Sequence, residues 1–337
     1  MSTQKITSME VAKLAGVSQS AVSRVFTPGA SSSKKTNELV RKAAAELGYR
    51  PNVLARSLIT GKSRMIGLVV AYLDNYFYPE ALELLSSALQ KKGYHVLIFM
   101  SGNKEGDIAD AVDEILDYQV DGIIAASVSM SSDLAKRCTS AGVPVVLFNR
   151  TQDDDRLSAV TSDNFQGGQK VARFLLAGGH KRIGYIAGWE GASTQRDREK
   201  GFTEELVRNG QELYAREVGN FNSDEARQAA RTMFSKQNFP DAVFVANDAM
   251  AIAVIDVIRF ELGLQVPEQV SVVGYDDVPI SSWPAYDLTT VRQPANRMVA
   301  ETVSILIESI ENKTTTARRI EIDGPLMVRG SAKISDK

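Results

Sequence analysis

Cysteine is almost absent from this chain, and histidine nearly so. The single thiol, Cys138, cannot close a disulfide within the chain, and without partner thiols it builds no metal cluster. It reads as a packed helix residue. His95 begins an apolar strand run and His180 sits in the loop AGGHKRIGY, so neither has the spacing of a zinc site or a nucleophile–base pair. No metal, no cofactor and no catalytic residue is expected. Phosphate-cradling glycine loops are missing too: NFQGGQK and AGGHKR match neither G-x-G-x-x-G nor a P-loop. GGHKRI is better read as a helix end turning into a strand. No apolar run approaches the roughly 20 residues of a membrane-spanning helix. The N-terminal MSTQKITSMEVAKLAG lacks the apolar centre of a signal peptide. These absences point to a cytoplasmic, non-enzymatic protein without a membrane partner.

What is present is ordinary in bulk and uneven in distribution. Of 337 residues, 44% are hydrophobic and 24% charged, which suits a soluble globular chain of two to three domains. The net charge of −2 conceals an asymmetry. Through Arg64 there are 11 Lys and Arg against 3 Asp and Glu, a net +8. The remainder has 28 against 38, a net −10. A basic head on an acidic body suggests that the head meets a polyanion.

The head begins with two short apolar-periodic runs in EVAKLAGVSQSAVSRVF. Thr7 or Ser8 caps a first helix to about Ala15, Gly16 ends it, and Ser18 caps a second helix to about Phe26. Ala12, Val17, Val22 and Val25 share one face. A third helix, from about Lys35 to Leu47, offers Leu39, Val40, Ala43, Ala44 and Leu47 to the same core. This is a helix-turn-helix pattern. Gln19, Ser20, Ser23 and Arg24 then face outward at the start of the second helix, the part that enters a DNA major groove in such units. Arg can bond guanine bidentately and Gln adenine. Thr7, Ser18 and Ser23 are short donors suited to phosphates, which set register without reading sequence.

The next segment reads GYRPNVLARSLITGKSRMIGLVV. With the helix-turn-helix VAKLAGVSQSAVSRV and the LGYRPN-x-x-A-R-x-L stretch, the whole chain resembles the lactose-repressor (LacI/GalR) family of bacterial transcription regulators. One departure is the serine- and lysine-rich loop TPGASSSKKT, which bears on phosphate contacts around Ser33 and Thr36. The resemblance implies a hinge helix from Asn52 to about Ile59. Leu58 would be its minor-groove wedge, with Asn52, Ala55 and Arg56 beside it. An apolar wedge opens a base step and bends the duplex, offset by added contacts. The implied layout is a helix-turn-helix domain at 1–50, hinge helix and linker at 51–63, and an effector-binding and dimerisation domain at 64–337. That domain would have the two-lobed periplasmic-binding-protein-like fold, with an N-lobe at 64–162 and 294–318 and a C-lobe at 163–293 and 319–337.

The residues of the body agree with an α/β class. Apolar runs at Ile66–Ala71, His95–Met100, Gly122–Ala126, Val143–Phe148, Ile183–Ala187, Ala242–Ala246 and Ser271–Gly274 alternate with helical stretches. Continuous apolar strands joined by crossover helices indicate parallel sheets covered on both faces. Such sheets bind ligands beyond the carboxyl ends of their strands. Those positions hold Asp74-Asn75-Tyr76-Phe77-Tyr78, then Ser127, Asn149-Arg150, Asp163, Trp189, Arg196, Arg198, Asn247-Asp248 and Tyr275-Asp276-Asp277. Amides, carboxylates and guanidinium groups with aromatic faces can grip a small polar ligand such as a sugar or sugar derivative. Asn247 and Asp248 serve equally well as caps of the next helix, and Asp277 as an organiser of its loop. By resemblance, Asn75, Arg198 and Asp276 fall on effector-contact positions, and Phe221 where an aromatic lines the cleft.

The leading reading is an effector-controlled transcriptional repressor of a pseudo-palindromic double-stranded operator. The competing reading is a small-ligand carrier or sensor that reads no operator; the basic head and the missing signal peptide argue against it. A Rossmann-type enzyme with an accessory helical domain lacks its cofactor loop. One helix-turn-helix reads a short site, so a two-fold homodimer reading two half-sites is expected. The tail GPLMVRGSAKISDK is too short and polar for a tetramerising heptad segment.

Overall fold

Thr7 opens the first helix with a reciprocal cap. Its Oγ1 accepts from the Glu10 N–H at 3.4 Å while the Glu10 carboxylate accepts from the Thr7 N–H at 2.7 Å. The computed structural model describes residues 6–27, 30–50, 62–71, 73, 75–101, 105–128, 130–152, 156–312 and 316–334. The chain divides into two units, Met1–Ser63 and Arg64–Lys337.

The first unit holds α1 (Ser8–Ala15), α2 (Gln19–Phe26) and α3 (Lys34–Leu47). Gly16, at φ 65°, closes α1 in the left-handed conformation that the tight turn demands. Ser18 and Ser33 cap α2 and α3, accepting from Ala21 N–H and Thr36 N–H. Val11, Ala12, Val22, Val25, Val40, Ala43 and Ala44 form the small core, with Val17 and Leu47 at its margin. Leu39 departs from expectation and is exposed, because α3 turns Val40 and Ala43 inward instead.

The second unit holds two six-stranded sheets. The chain first runs β1 (Met65–Val70), α4 (Phe77–Lys91), β2 (His95–Met100), α5 (Glu105–Asp117), β3 (Gly122–Ala126), α6 (Ser132–Ser140), β4 (Val145–Phe148) and β5 (Ser158–Ser162). It crosses over and continues through α7 (Asn164–Ala177), β6 (Ile183–Ala187), α8 (Ser193–Arg208), β7 (Ala215–Val218), α9 (Ser223–Phe234), β8 (Ala242–Val245), α10 (Asp248–Asp256), β9 (Ser271–Asp276) and β10 (Thr289–Arg292). A π-helical turn, Val257–Glu261, extends α10. The chain then returns as α11 (Ala295–Asn312) and ends with β11 (Arg319–Ile322) and β12 (Leu326–Met327).

The first sheet has the order β11-β5-β4-β3-β1-β2 and is parallel throughout. The second is β12-β10-β9-β8-β6-β7, with only the β10–β12 pair antiparallel. Burial explains the continuous apolar strands. Along β3, Ile124 and Ala126 enter the core under α4 and α11, while Ile123 and Ala125 enter the core under α5 and α6. Three crossovers join the lobes, and the third corrects the expected boundary. Residues 319–322 belong to the first sheet, where β11 pairs with β5 in register Arg319↔Ala159 to Ile322↔Ser162. Their Ile320 and Ile322 pack into that lobe, so the chain crosses after Ile322 rather than before Arg319.

Candidate functional site

The second helix presents one polar face. Val22 and Val25 are buried, whereas Gln19, Ser20, Ser23 and Arg24 are all exposed. Gln19 Nε2 donates to Ser8 Oγ at 2.9 Å, and Arg24 Nε donates to the Ser20 carbonyl at 3.4 Å. Thr7 and Ser18 carry capping tasks. The Thr7 hydroxyl donates to the Glu10 carboxylate at 2.9 Å, and Ser18 Oγ lies 3.0 Å from Ser20 Oγ. Ser33 and Thr36 are likewise joined to each other, at 2.9 Å. Asn52, Ala55, Arg56 and Leu58 lie outside the described residues.

In the second unit, the strand ends converge on one cavity. Asn75, Ser127, Asn149, Arg198, Phe221, Asn247 and Asp276 line it together, as do Tyr78, Arg150 and Thr194. Tyr78 and Arg150 stand among the strand-end residues that the sequence offers, and Thr194 does not. Arg150 follows Asn149 directly at the end of β4, and Tyr78 closes the aromatic run after β1. Thr194 has no such signal, because it lies in the first turn of α8 rather than directly after a strand.

The centre of the cavity is a buried charge network. Arg198 stacks over the Tyr275 ring at 3.6 Å and donates to Asn164 Oδ1 at 2.8 Å and to the Ala246 carbonyl at 2.6 Å. It also lies 3.5 Å from Asp276 Oδ1. Gln293 Nε2 donates to the same carboxylate at 2.7 Å, and Asn75 Nδ2 reaches its other oxygen from the opposite lobe at 3.4 Å. Burial pushes the Asp276 carboxyl up to about 7, aided by the nearby Asp248 and opposed by Arg198. Tyr78 is raised by burial as well, and its hydroxyl accepts from Asn149 Nδ2 at 2.8 Å. Arg150 lies 5.5 Å from the Trp189 ring and 5.9 Å from that of Phe221.

Two features suit this cavity to a small polar ligand. First, Asn149 Oδ1 and Asn247 Nδ2 are buried without hydrogen-bond partners in the protein, one an acceptor and one a donor. Asn247 also caps α10 through its Oδ1, which leaves its Nδ2 without a partner at the cavity. Second, Ser127, Asn149, Phe221 and Asp276 all take positive φ, at 62°, 71°, 57° and 127°. For a bulky residue such as Phe221 this conformation is costly and must be held by its surroundings. Gly188 provides the space, since a Cβ there would overlap the Phe221 ring. The cavity has room for only about 20 Å³, little more than one water molecule.

Four expected residues lie elsewhere. Tyr76 is exposed just before α4. Phe77 is buried and stacks on Phe148 at 6.2 Å, because the first turn of α4 needs an apolar anchor. Asp163 caps α7 by accepting from Gln166 N–H at 2.9 Å. Asp248 is fully buried and accepts from Val278 N–H, Ser281 Oγ and Thr290 Oγ1 at 3.0, 2.7 and 2.6 Å. It ties the loop after β9 to α10 and leaves the cavity wall to Asn247.

Comparison with known proteins bears on both units. The family of bacterial regulatory proteins of the lacI type matches residues 7–52, and the periplasmic binding protein-like domain matches residues 172–332. The HTH-type transcriptional repressor PurR of Pasteurella multocida is 31% identical over 96% of this chain and 98% of its own length. The HTH-type transcriptional regulator CelR of Thermobifida fusca is 32% identical over 95% and 96%. Among solved structures, the lac repressor dimer bound to operator and the anti-inducer ONPF superposes with a TM-score of 0.88, at 28% identity over 97% of this chain and 99% of that one. A CelR–cellobiose complex gives 0.73 at 31% identity, over 97% and 100%. Among the described residues no helix is long and apolar enough to cross a membrane. A capped helix-turn-helix, a two-sheet core crossed three times, and a full-length relative at this identity together place the chain in the lacI family of bacterial regulatory proteins.

Proposed function

We propose that the protein is a DNA-binding transcriptional repressor whose grip on its operator is set by a small polar effector, a sugar or sugar derivative. It acts as a homodimer in the cytoplasm on a pseudo-palindromic site. One observation carries the effector half of this reading: a buried cavity at the strand ends offers Asn149 Oδ1 and Asn247 Nδ2 unbonded beside the Arg198–Asp276 pair. A ligand hydroxyl can donate to the first and accept from the second, so binding removes two unmet desolvation costs. Asn75, Tyr78, Ser127, Arg150, Phe221 and the newly located Thr194 complete the proposed contacts. The cellobiose held by CelR and the operator held by the lac repressor support the two ligand classes.

On the DNA side, Gln19, Ser20 and Arg24 are assigned to base edges and Ser23 to phosphate. Thr7 and Ser18 fix the helix ends that aim them. Asn52, Ala55, Arg56 and Leu58 are assigned to the minor groove. The relatives are repressors rather than enzymes, and this reading requires binding alone. The test is operator titration with and without each member of a panel of sugars, sugar phosphates and nucleobases. At least one should change operator affinity fivefold or more, a typical coupling of about 1–3 kcal/mol. Specific operator binding that no panel member alters would overturn the sugar assignment, and absence of any sequence-specific DNA binding would overturn the repressor assignment.

A further inference from the structure

β4 ends in a turn that sends a cation across to the other lobe. Asn149 takes φ 71°, the left-handed conformation that asparagine tolerates better than most residues. The next two residues both meet the C-lobe. The Arg150 guanidinium lies 5.5 Å from the ring of Trp189, which follows β6, and 5.9 Å from that of Phe221, which follows β7. The Thr151 N–H donates at 2.9 Å to Oγ of Ser193, the first residue of α8.

The C-lobe is shaped to present those two rings. A Cβ on Gly188 would overlap the Phe221 ring, and one on Gly191 would overlap the Trp189 ring, so each ring lies against a glycine. Phe221 holds φ 57°, which a bulky residue keeps only under constraint. Arg150 is only 4% exposed, and a buried cation is unfavourable unless its surroundings favour the charge. Aromatic faces do so, and more strongly away from water. A planar, delocalised guanidinium stacks on them in a way that a compact ammonium does not.

We infer that Arg150 is a clasp between the lobes: its hold on Trp189 and Phe221 favours one lobe arrangement in the effector-free protein and thereby sets the resting operator affinity. The contact joins a residue of one lobe to two of the other. Its free energy therefore differs between lobe arrangements, which is what biasing that equilibrium requires. The operator half of this inference rests on the repressor reading; the clasp itself does not.

The chain has two tryptophans, so Trp283→Phe, at an exposed position, leaves Trp189 as the sole reporter. In that background Arg150→Gln should roughly double the acrylamide quenching constant of Trp189, as the indole loses its covering cation. Arg150→Lys keeps the charge without the planar face and should fall between the parent and Arg150→Gln. Phe221→Leu should act in the same direction as Arg150→Gln, and the two together should fall short of the sum, because residues in contact are not additive. With Trp283 intact, Arg150→Gln should change effector-free operator affinity by about fivefold or more, a typical coupling between sites. Unchanged Trp189 quenching in Arg150→Gln overturns the clasp, and so do additive effects of Arg150→Gln and Phe221→Leu. Should Arg150→Gln fail to fold, Arg150→Lys and Phe221→Leu make the same comparison. Raised quenching with unchanged operator affinity overturns control of the resting state. A parent protein that binds no operator specifically overturns the repressor reading instead, and the quenching series still decides the clasp.

Discussion

Arg24 and Ser20 share an exposed helix face, yet they differ in what they can tell a base. The Arg24 side chain is anchored locally only through Nε, and a guanidinium has the fork that matches guanine O6 and N7. Arg24→Ala should therefore weaken specific operator binding by about 1–3 kcal/mol while binding to random duplex falls much less. Equal losses in a filter-binding titration on both duplexes would reduce Arg24 to a phosphate contact. Asp276 makes a different kind of statement. Its carboxyl ionises at an ordinary 3.8 when exposed and at about 7 when buried in the fold. Between those values the folded state holds the extra proton, so this group's contribution to stability falls as pH rises from about 4 to 7 and is level above. Asp276→Asn should flatten that slope in urea unfolding series at pH 5, 6 and 7.5. The same slope in both proteins would mean that the buried carboxyl titrates near its ordinary value.

At the scale of elements, one close approach decides where the cleft arginine sits. α7 and α8 meet through Gly168 and Gly201, where an added Cβ would overlap the Arg198 carbonyl and the Phe165 carbonyl respectively. Gly168→Ala must push α8 outward, and Arg198 travels with it. The cost should be about 1–3 kcal/mol in denaturant unfolding, accompanied by weaker effector binding. A midpoint within experimental scatter of the parent would show that the helix pair yields without strain. In sequence, NFQGGQK was recognisable as something other than a phosphate loop, but its packing role was not, because contact across two helices leaves no local pattern. The same limit governs the sheets. Apolar strands such as GIIAA and VVLF are legible because both faces are buried. β7, reading AREV, and β10, reading TTVR, are too polar and too short to stand out, and only their neighbours' open edges call them into strands. The cleft was legible as a set of strand ends. Which side chains turn into it depends on backbone choices such as the positive φ of Phe221 and on whether a carboxylate such as Asp248 is claimed by its own loop. Neither has a signature along the chain.

At the scale of the whole molecule, the free edge of the first sheet is the feature that a single copy leaves unexplained. β2 is the edge strand, and Ile98 and Met100, two residues apart on one face, are 53% and 54% exposed. An open edge bearing adjacent apolar side chains invites association. In the C-lobe, Phe260 is 81% exposed and Trp283 56% exposed, each a large apolar side chain at the surface. Two-fold pairing of the body would cover such surfaces and bring two helix-turn-helix units to one operator. Ile98→Asp puts a charge on that face at a position where the fold itself buries little, so the monomer should remain folded while dimerisation weakens. Sedimentation velocity at micromolar concentration should then show a shift from dimer toward monomer. Affinity for a two-half-site operator should fall steeply, while affinity for an isolated half-site changes little, because the loss comes from the link between two reading heads rather than from either head. A variant that sediments as the parent dimer would place the partner on another face. A monomer that still binds the full operator as tightly as the parent would mean that one helix-turn-helix suffices and that the second half-site is idle.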